Sequence, residues 1–374
     1  MGAGTAQGGA CLLISGKERK NMEFVVFAGV LLLLFIFMIV QELIQTKNQE
    51  KLFKKYLREN YGKEPPKEYS LERFARLGSY LERHKEEKQL DDITWNDLGM
   101  DEVFRRIDRT YSAAGEEYLY YTLRNISCGR EALEHLEEVV NWLQEQENIK
   151  VRIQLLMKRL GHLGKYSLYD YLDNLDYLGE RSNRKIVLGN LLYLPFLLLL
   201  FVQPAMGTIG IVLCMLWHIM TYFREKKVIE PYIISFAYVL RLIDVCEELE
   251  KQKIPVYRRE LDELREALKS LRELRRGAYW VMAGNQGKIG GNPLDILADY
   301  LRMILHLDIF QFNRMLEKLR KKTGQVETML AITGYLDMAI SVGGFRKSLE
   351  GYCIPKLEED TEKAFLHMKK GWHP

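Results

Sequence analysis

The chain has 374 residues, 47% of them hydrophobic, enough for two or three compact units. Its 54 basic and 51 acidic residues leave a net charge of +3, which does not announce a nucleic-acid binder, since a dedicated one would show a concentrated basic face. Only nine prolines, much Leu, Glu, Lys and Arg, and few alternating runs point to an all-α fold.

Residues 1–21 are Gly/Ala-rich and then charged, without apolar periodicity, and read as a disordered N-terminus. Phe24 to Val40 carries no charge, and its apolar character continues in part to Ile44. That is about the minimum for a helix to cross a bilayer. A secretory signal competes with this reading, but no small-x-small cleavage site follows, which favours an uncleaved anchor over 22–44. Lys47, Lys51, Lys54, Lys55 and Arg58 place the C-terminal side in the cytoplasm. Lys17, Arg19 and Lys20 oppose that orientation unless translation starts at Met22. Residues 45–90 are charged and broken at Pro65-Pro66, and read as juxtamembrane helices. Their basic run either meets anionic lipid or is a solvated helix face.

From Thr94 the pattern changes. Trp95, Leu98, Met100, Val103, Phe104 and Ile107 form one apolar face. Arg109-Thr110-Tyr111-Ser112 interrupts it, and Ser112 is placed to cap a new helix with Gly115 and Glu116 in its first turn. Leu119, Tyr120 and Leu123 form the buried stripe of that helix. Glu131 to Leu160 carries a second stripe, and Tyr166, Tyr169 and Tyr171 follow as an aromatic cluster. Asp170, Asp173 and Asp176 surround the cluster, so it belongs to a core rather than to a base-stacking platform.

Ile186 to Val202 and Ile209 to Phe223 are two further apolar runs, joined by the turn Gln203 to Thr208. Arg181, Arg184 and Lys185 precede the pair, and Arg224, Lys226 and Lys227 follow it. Positive charge at both outer ends predicts a transmembrane hairpin over 186–223. The alternative is a re-entrant or buried helical pair, because each arm is short. His218 lies near the basic end and reads as an interfacial side chain rather than a ligand. A long helix is expected over 224–276, beginning at Pro231 and restarting at Pro255. Leu261, Leu264, Leu268, Leu271 and Leu274 give its second half a strip for a partner helix. A Gly-rich loop at 277–293 leads to an amphipathic helix over Leu294 to Arg320. Another follows over Val326 to Leu349, packed with small residues such as Gly334 and Ala339.

Two sequence patterns go beyond architecture. The first is Asp108-Arg109-Thr110, then Ser112, Gly115, Leu119 and Leu123. The second is Tyr352-Cys353-Ile354-Pro355 followed by Gly371-Trp372-His373-Pro374. In this order, joined by long helices, they resemble the core (lever) region of the MutS family of DNA mismatch-repair ATPases, in a membrane-anchored form. The resemblance covers roughly residues 91 to 374. The plainer alternative for the first pattern is an ordinary helical hairpin. The resemblance implies an all-α, long-helix lever, to which the apolar runs at 22–44 and in the hairpin add three transmembrane helices. One core segment would span 91–185. A second, over 294–374, would include the connector to an ATPase domain. The resemblance also implies that Asp108, Arg109, Thr110, Ser112, Gly115, Tyr352, Cys353, Pro355, His373 and Pro374 are structural motif residues. Full-length relatives would bind ATP and Mg, form a homodimer through the ATPase domain, and act on mismatched DNA.

No phosphate loop of the form G-x-x-x-x-G-K-[ST] occurs, since the Gly-Lys pairs at 16, 62, 164 and 287 lack the first glycine and the hydroxyl. The chain is therefore expected to be a fragment without the motor, with no enzymatic activity and no cofactor of its own. Phe223-Arg224-Glu225 matches the letters of the family's mismatch wedge, but it ends an apolar span and is read as coincidence. The stretch 277–293 is too short for a separate DNA clamp. Candidate phosphate contacts are Arg258, Arg259, Arg265, Lys269, Arg272, Arg275 and Arg276, nearly cancelled by Glu260, Asp262, Glu263, Glu266 and Glu273. The alternative there is a solvated helix face. The five cysteines form no metal or disulfide template and read as isolated buried thiols. No catalytic or metal-ligating set stands out. The expected setting is a multi-pass protein of the inner (cytoplasmic) membrane, with its helices on the cytoplasmic side and the lipid bilayer as a partner. The competing function is a membrane-bound helical scaffold with no DNA role.

Overall fold

The computed structural model describes residues 36–41, 44–63, 69–85, 88–126, 129–163, 167–275, 293–356 and 367–369. Most of the anchor, Pro65-Pro66, Cys11, Cys128, Tyr166, Arg276, most of the Gly-rich loop and the run Gly371 to Pro374 lie outside these residues. The chain divides into two units. The first holds 1–59 and 290–294, and its described N-terminal part is helical over 36–41 and 44–59. The second holds 60–289 and 295–374 and contains everything discussed below.

The described residues are helical, with no strand beyond one isolated bridge between Gln89 and Asn125. The helices are α1 Leu71–Arg83, α2 Asp92–Asp97, α3 Met100–Ile107, α4 Ala113–Arg124, α5 Arg130–Glu145, α6 Glu147–Leu160 and α7 Leu168–Asp173. Then come α8 Arg184–Leu191, α9 Tyr193–Val202, α10 Pro204–Leu249, α11 Arg258–Leu271, α12 Pro293–Leu305, α13 Leu307–Arg320 and α14 Thr323–Ser348. Polar side chains mark several starts. Ser70 Oγ accepts from Arg73 N at 3.3 Å, Asp91 from Thr94 N at 2.7 Å and Ser112 Oγ from Gly115 N at 3.1 Å. Ser167 and Asp170 form a reciprocal capping box at α7.

α14 is the centre of the packed core. It packs against α3, α4, α5, α6, α10 and α11. Its small residues allow this approach. A Cβ on Gly334 would lie 2.6 Å from the Ala114 carbonyl oxygen, and one on Gly115 would lie 2.6 Å from Asp337 Cβ. Leu336 and Ala339 are fully buried on either side of this contact.

Several expected helices divide. The stretch 92–107 is two helices because Gly99 adopts φ 61 between them. Residues 130–160 divide at Gln146, and 293–320 divide at His306, which adopts φ 53. The helix expected over 224–276 ends at Leu249 and resumes as a 3-10 turn at Pro255–Tyr257 before α11. In the other direction, Pro231 does not start a helix. It lies inside α10, which runs unbroken for 46 residues, roughly 69 Å at 1.5 Å per residue. Proline removes one backbone donor and frees the carbonyl four residues earlier. Pro231 and Lys227 are both exposed, so water can take that carbonyl.

Among the described residues, three helical stretches are long and apolar enough to cross a membrane: Arg184–Val202, Pro204–Leu249 and Thr323–Ser348. They differ in what surrounds them. The apolar window of Thr323–Ser348 is 72% buried inside the protein, as a core helix would be. Only 6% of the window in Arg184–Val202 is buried. Leu188, Leu198, Phe201, Ile209, Leu213 and Met220 point outward from the hairpin of α8–α9 with α10. An exposed apolar band of this size requires a non-aqueous cover. The 19 residues of α8–α9 reach about 28 Å, close to the ~30 Å hydrocarbon core of a bilayer. The turn expected over Gln203 to Thr208 is Gln203 alone, because Pro204 already starts α10, and at Gly207 in that helix a Cβ would lie 2.6 Å from Leu200 N, so a small residue is needed for the helices to touch.

A hairpin that crosses the bilayer places its tip and its basic ends on opposite sides. In a cysteine-free background in intact cells, an impermeant maleimide should label Thr208→Cys at once and Lys227→Cys only after the membrane is permeabilised. Protection of both positions until permeabilisation would mean that the pair does not cross.

Candidate functional site

Among the described residues of the second unit, a densely connected polar site is built on the Asp108 to Gly115 turn. α14 supplies its base from one helical stripe, Gly334, Asp337, Ser341 and Gly344, spaced three, four and three residues apart. Asp337 is 1% exposed in the middle of an apolar helix, so its carboxylate must find donors. The turn provides them. Tyr111 N donates at 3.0 Å, Ser112 N at 2.8 Å and Ser112 Oγ–H at 2.6 Å. One helical turn further, Ser341 Oγ accepts from Arg109 N at 2.7 Å and donates to the Ile107 carbonyl at 2.6 Å. The interrupted backbone between α3 and α4 thus satisfies its polar groups on α14.

Each expected motif residue has a definite task in this turn. Asp108 Oδ1 accepts from Thr110 N at 3.0 Å and from Thr110 Oγ1 at 2.6 Å. Its other oxygen accepts from the Tyr69 hydroxyl at 2.5 Å. Burial and the neighbouring Asp108 charge push the Tyr69 hydroxyl well above its ordinary pKa, so it remains a donor. Arg109 extends to the Lys63 carbonyl at 3.2 Å and Ser348 Oγ at 3.1 Å, tying the last turn of α14 to the motif. Ser112 caps α4 with the same oxygen that reaches Asp337, and Gly115 is where α4 touches α14.

A second layer of charge lies behind the turn. Arg73 and Arg76 of α1 both bind Glu116, the latter at 3.0 Å, and His162 Nε2 lies 3.4 Å from the same carboxylate. Glu117 points to the other side, where Ser167 Oγ donates to it at 2.9 Å. Burial raises the Glu117 carboxyl pKa to about 8, against the lowering effects of the Ser167 hydrogen bond and the Arg76 charge.

The second motif lies elsewhere. Tyr352, Cys353 and Pro355, all exposed, form one wall of a groove of about 900 Å³. Leu119 and Leu123 of α4, Leu133 and Leu136 of α5, and Val342 and Phe345 of α14 form much of the remaining wall. The two sequence motifs therefore share α4. Ser112 of the first reaches Asp337, and the apolar residues Leu119 and Leu123 that follow it line the groove beside the second. His373 and Pro374 lie outside the described residues.

The candidate phosphate contacts occupy the outer face of α11 and the turn after it. Arg258, Arg259, Arg265, Lys269, Arg272 and Arg275 are all exposed there, and Arg276 lies outside the described residues. Several are already committed to acids. Arg265 binds Glu250 at 2.8 Å and Asp262 at 2.6 Å, Arg275 binds Glu247 and lies 3.4 Å from Asp244, and Arg259 lies 3.5 Å from Glu263. This is the pattern of a solvated, ion-paired face. Of the cysteines, Cys214 and Cys246 are buried as expected, whereas Cys353 is exposed. Among the described residues no group of three or more His, Cys, Asp and Glu could hold a metal ion.

Asp337, Ser341, Tyr69 and Arg73 were not singled out by sequence. The signal that points to Asp337 is a carboxylate inside an apolar, small-residue helix, in register with Gly334 and Ser341. His218 also differs from expectation. It is 1% exposed and donates from Nδ1 to the Cys214 carbonyl at 2.9 Å, rather than lying at an open interface. No family model, curated protein or solved structure matches this chain.

Asp337→Ala strands three donors, two of them buried, and should lower stability by about 3 kcal/mol or more, read as a large fall in melting temperature of the detergent-solubilised chain. Ser341→Ala should cost about half as much, because it removes one donor and one acceptor. Glu117 gives a pH signature. Its folded pKa is raised, so its contribution to stability is full below the unfolded value near 4.5 and is lost as pH rises to about 8. Glu117→Gln should therefore gain stability relative to the parent chain between pH 5 and 8. A difference curve that stays flat over that window would place the Glu117 carboxyl in an ordinary range.

Proposed function

We propose that this chain is the membrane-anchored lever region of a MutS-like protein, a helical body that links a bilayer hairpin to a packed core. The observation that carries the reading is α10. Its first half presents the apolar outer face of the hairpin, with Leu213, Leu216 and Met220 exposed. Its second half, from Ile229 to Leu249, is core, with Phe236, Leu242, Val245 and Leu249 buried. One helix thus belongs to both environments, and displacement at one end is carried to the other through a continuous hydrogen-bonded rod. The clamp between the Asp108 to Gly115 turn and α14 supports the reading further. It explains in physical terms why residues of those types follow one another at that spacing.

In this reading ATP and Mg belong to the motor of full-length relatives. Contact with DNA is restricted to weak phosphate attraction at α11. A membrane-bound scaffold without any DNA role is the second reading, and the ion pairing of Arg265 and Arg275 favours it for that face. The two are separated by titrating the detergent-solubilised chain against matched and mismatched duplexes at low and physiological salt. The lever reading expects weak binding without mismatch preference at low salt, lost at physiological salt because few phosphate contacts are available. A salt-resistant mismatch preference would contradict it by revealing a reading element, and no binding even at low salt would favour the scaffold.

A further inference from the structure

A cavity at the basic end of the hairpin takes no part in the lever. Its volume is about 460 Å³, within the roughly 300–1,000 Å³ of small-ligand sites and far above the ~30 Å³ share of one water. Its chemistry comes from Arg181, Lys185, His218, Glu225 and His306.

His306 is the decisive residue. It is 5% exposed, it adopts the left-handed backbone conformation at φ 53, and its Nδ1 is buried without a hydrogen-bond partner. Left-handed backbone at a non-glycine residue is uncommon, and such outliers concentrate at binding sites. Its tautomer follows from Thr221. The single hydroxyl proton of Thr221 is directed at the carbonyls of His218 and Trp217, 2.9 and 3.0 Å away. The Thr221 oxygen therefore accepts from His306 Nε2–H at 3.3 Å, which leaves Nδ1 as a bare acceptor. His218 repeats the arrangement. Its Nδ1–H donates to the Cys214 carbonyl, so Nε2 is the acceptor, and the two imidazole rings are 5.4 Å apart. Glu180 and Glu225 add negative charge to the lining, and Arg181 is held between Glu225 and Asn313 Oδ1.

The histidine wall of the cavity thus accepts hydrogen bonds and favours a cation that brings N–H donors. The wall that Lys185 and Trp217 form is different. Lys185 is exposed in the first turn of α8. Trp217, half exposed, lines the cavity where it meets the apolar band of the hairpin, in the position that aromatic residues take at membrane interfaces. A ligand matching both walls is a zwitterion with an ammonium and a phosphate, and the apolar border indicates one with acyl chains.

We propose that this cavity binds the head group of an ethanolamine phospholipid, with the ammonium donating to His306 Nδ1 and His218 Nε2 and the phosphate beside Lys185. The proposal rests on the hairpin lying in a bilayer, which flotation with vesicles tests separately. A chain that does not float refutes insertion itself, whereas a chain that floats without a head-group preference refutes this site alone.

The test is a lipid titration of the full chain in detergent, read by native mass spectrometry. Phosphatidylethanolamine, phosphatidylglycerol and phosphatidylcholine of identical acyl composition are compared. Phosphatidylcholine keeps the charge pattern but has no N–H donor. The ethanolamine lipid should bind ~10-fold more tightly than phosphatidylcholine. Lys185→Glu, at an exposed position, and His306→Asn, which tolerates the left-handed backbone, should each reduce that preference ~5-fold or more while leaving the lipid-free melting temperature close to the parent value. Equal binding of ethanolamine and choline lipids would overturn the proposal, as would tighter binding of phosphatidylglycerol. An unchanged preference in both variants would overturn it too.

Discussion

A carboxylate placed inside an apolar helix must be satisfied from outside that helix, and Asp337 is satisfied by the backbone of the Tyr111–Ser112 turn. This constraint fixes the register of α14 against α4. It also explains why α3 and α4 do not merge into one helix, since the amide groups freed between them are spent on Asp337 and Ser341. Gly115 and Gly334 are needed at the same contact because larger residues would hold the two backbones apart and lengthen these hydrogen bonds. Arg73 and Arg76 then bring α1 onto α4 through Glu116, so the clamp organises a layer on each side of itself.

The second constraint is length. α10 is long enough to begin in the hairpin and end in the core, and its mid-helix proline does not stop it because the freed carbonyl faces water. The apolar content of the two halves is similar, but its use differs. In the first half the large side chains face outward, and in the second they are buried by α6, α11 and α14. The same logic separates α14 from the hairpin. Both pass a composition test for membrane spans, yet α14 is enclosed by protein and holds a buried acid that only protein donors satisfy.

Much of this was legible in the sequence. The helical class, the Ser112 cap, the stripe of Leu119 and Tyr120, and the pairing of two apolar helices all follow from local patterns, which the structure repeats, although the turn expected over Gln203 to Thr208 is Gln203 alone. The breaks at His306 and Gln146 and the continuity across Pro231 were not legible. A left-handed histidine carries no periodicity signal, and proline is a stop signal unless its exposure is known. The Asp108 to Gly115 pattern was visible as a motif, but its partner was 225 residues away, between Ser112 and Asp337. Side chains that answer one another over such separations leave no local trace in one sequence. The charges of α11 were visible as well, but only the structure shows that Arg265 and Arg275 are tied to acids of α10 and its C-terminal end.

Whether the hairpin and the core move as one mechanical body through α10 is read most directly from a pulsed electron–electron distance between spin labels at Arg224→Cys and Glu248→Cys, in a cysteine-free background, in detergent and in bilayers. A straight helix separates these positions by about 36 Å along its axis. A rigid α10 gives one narrow distance distribution near that value in both environments. A broad distribution, or a clearly shorter distance that changes between detergent and bilayer, would show a hinge at Pro231 and contradict it.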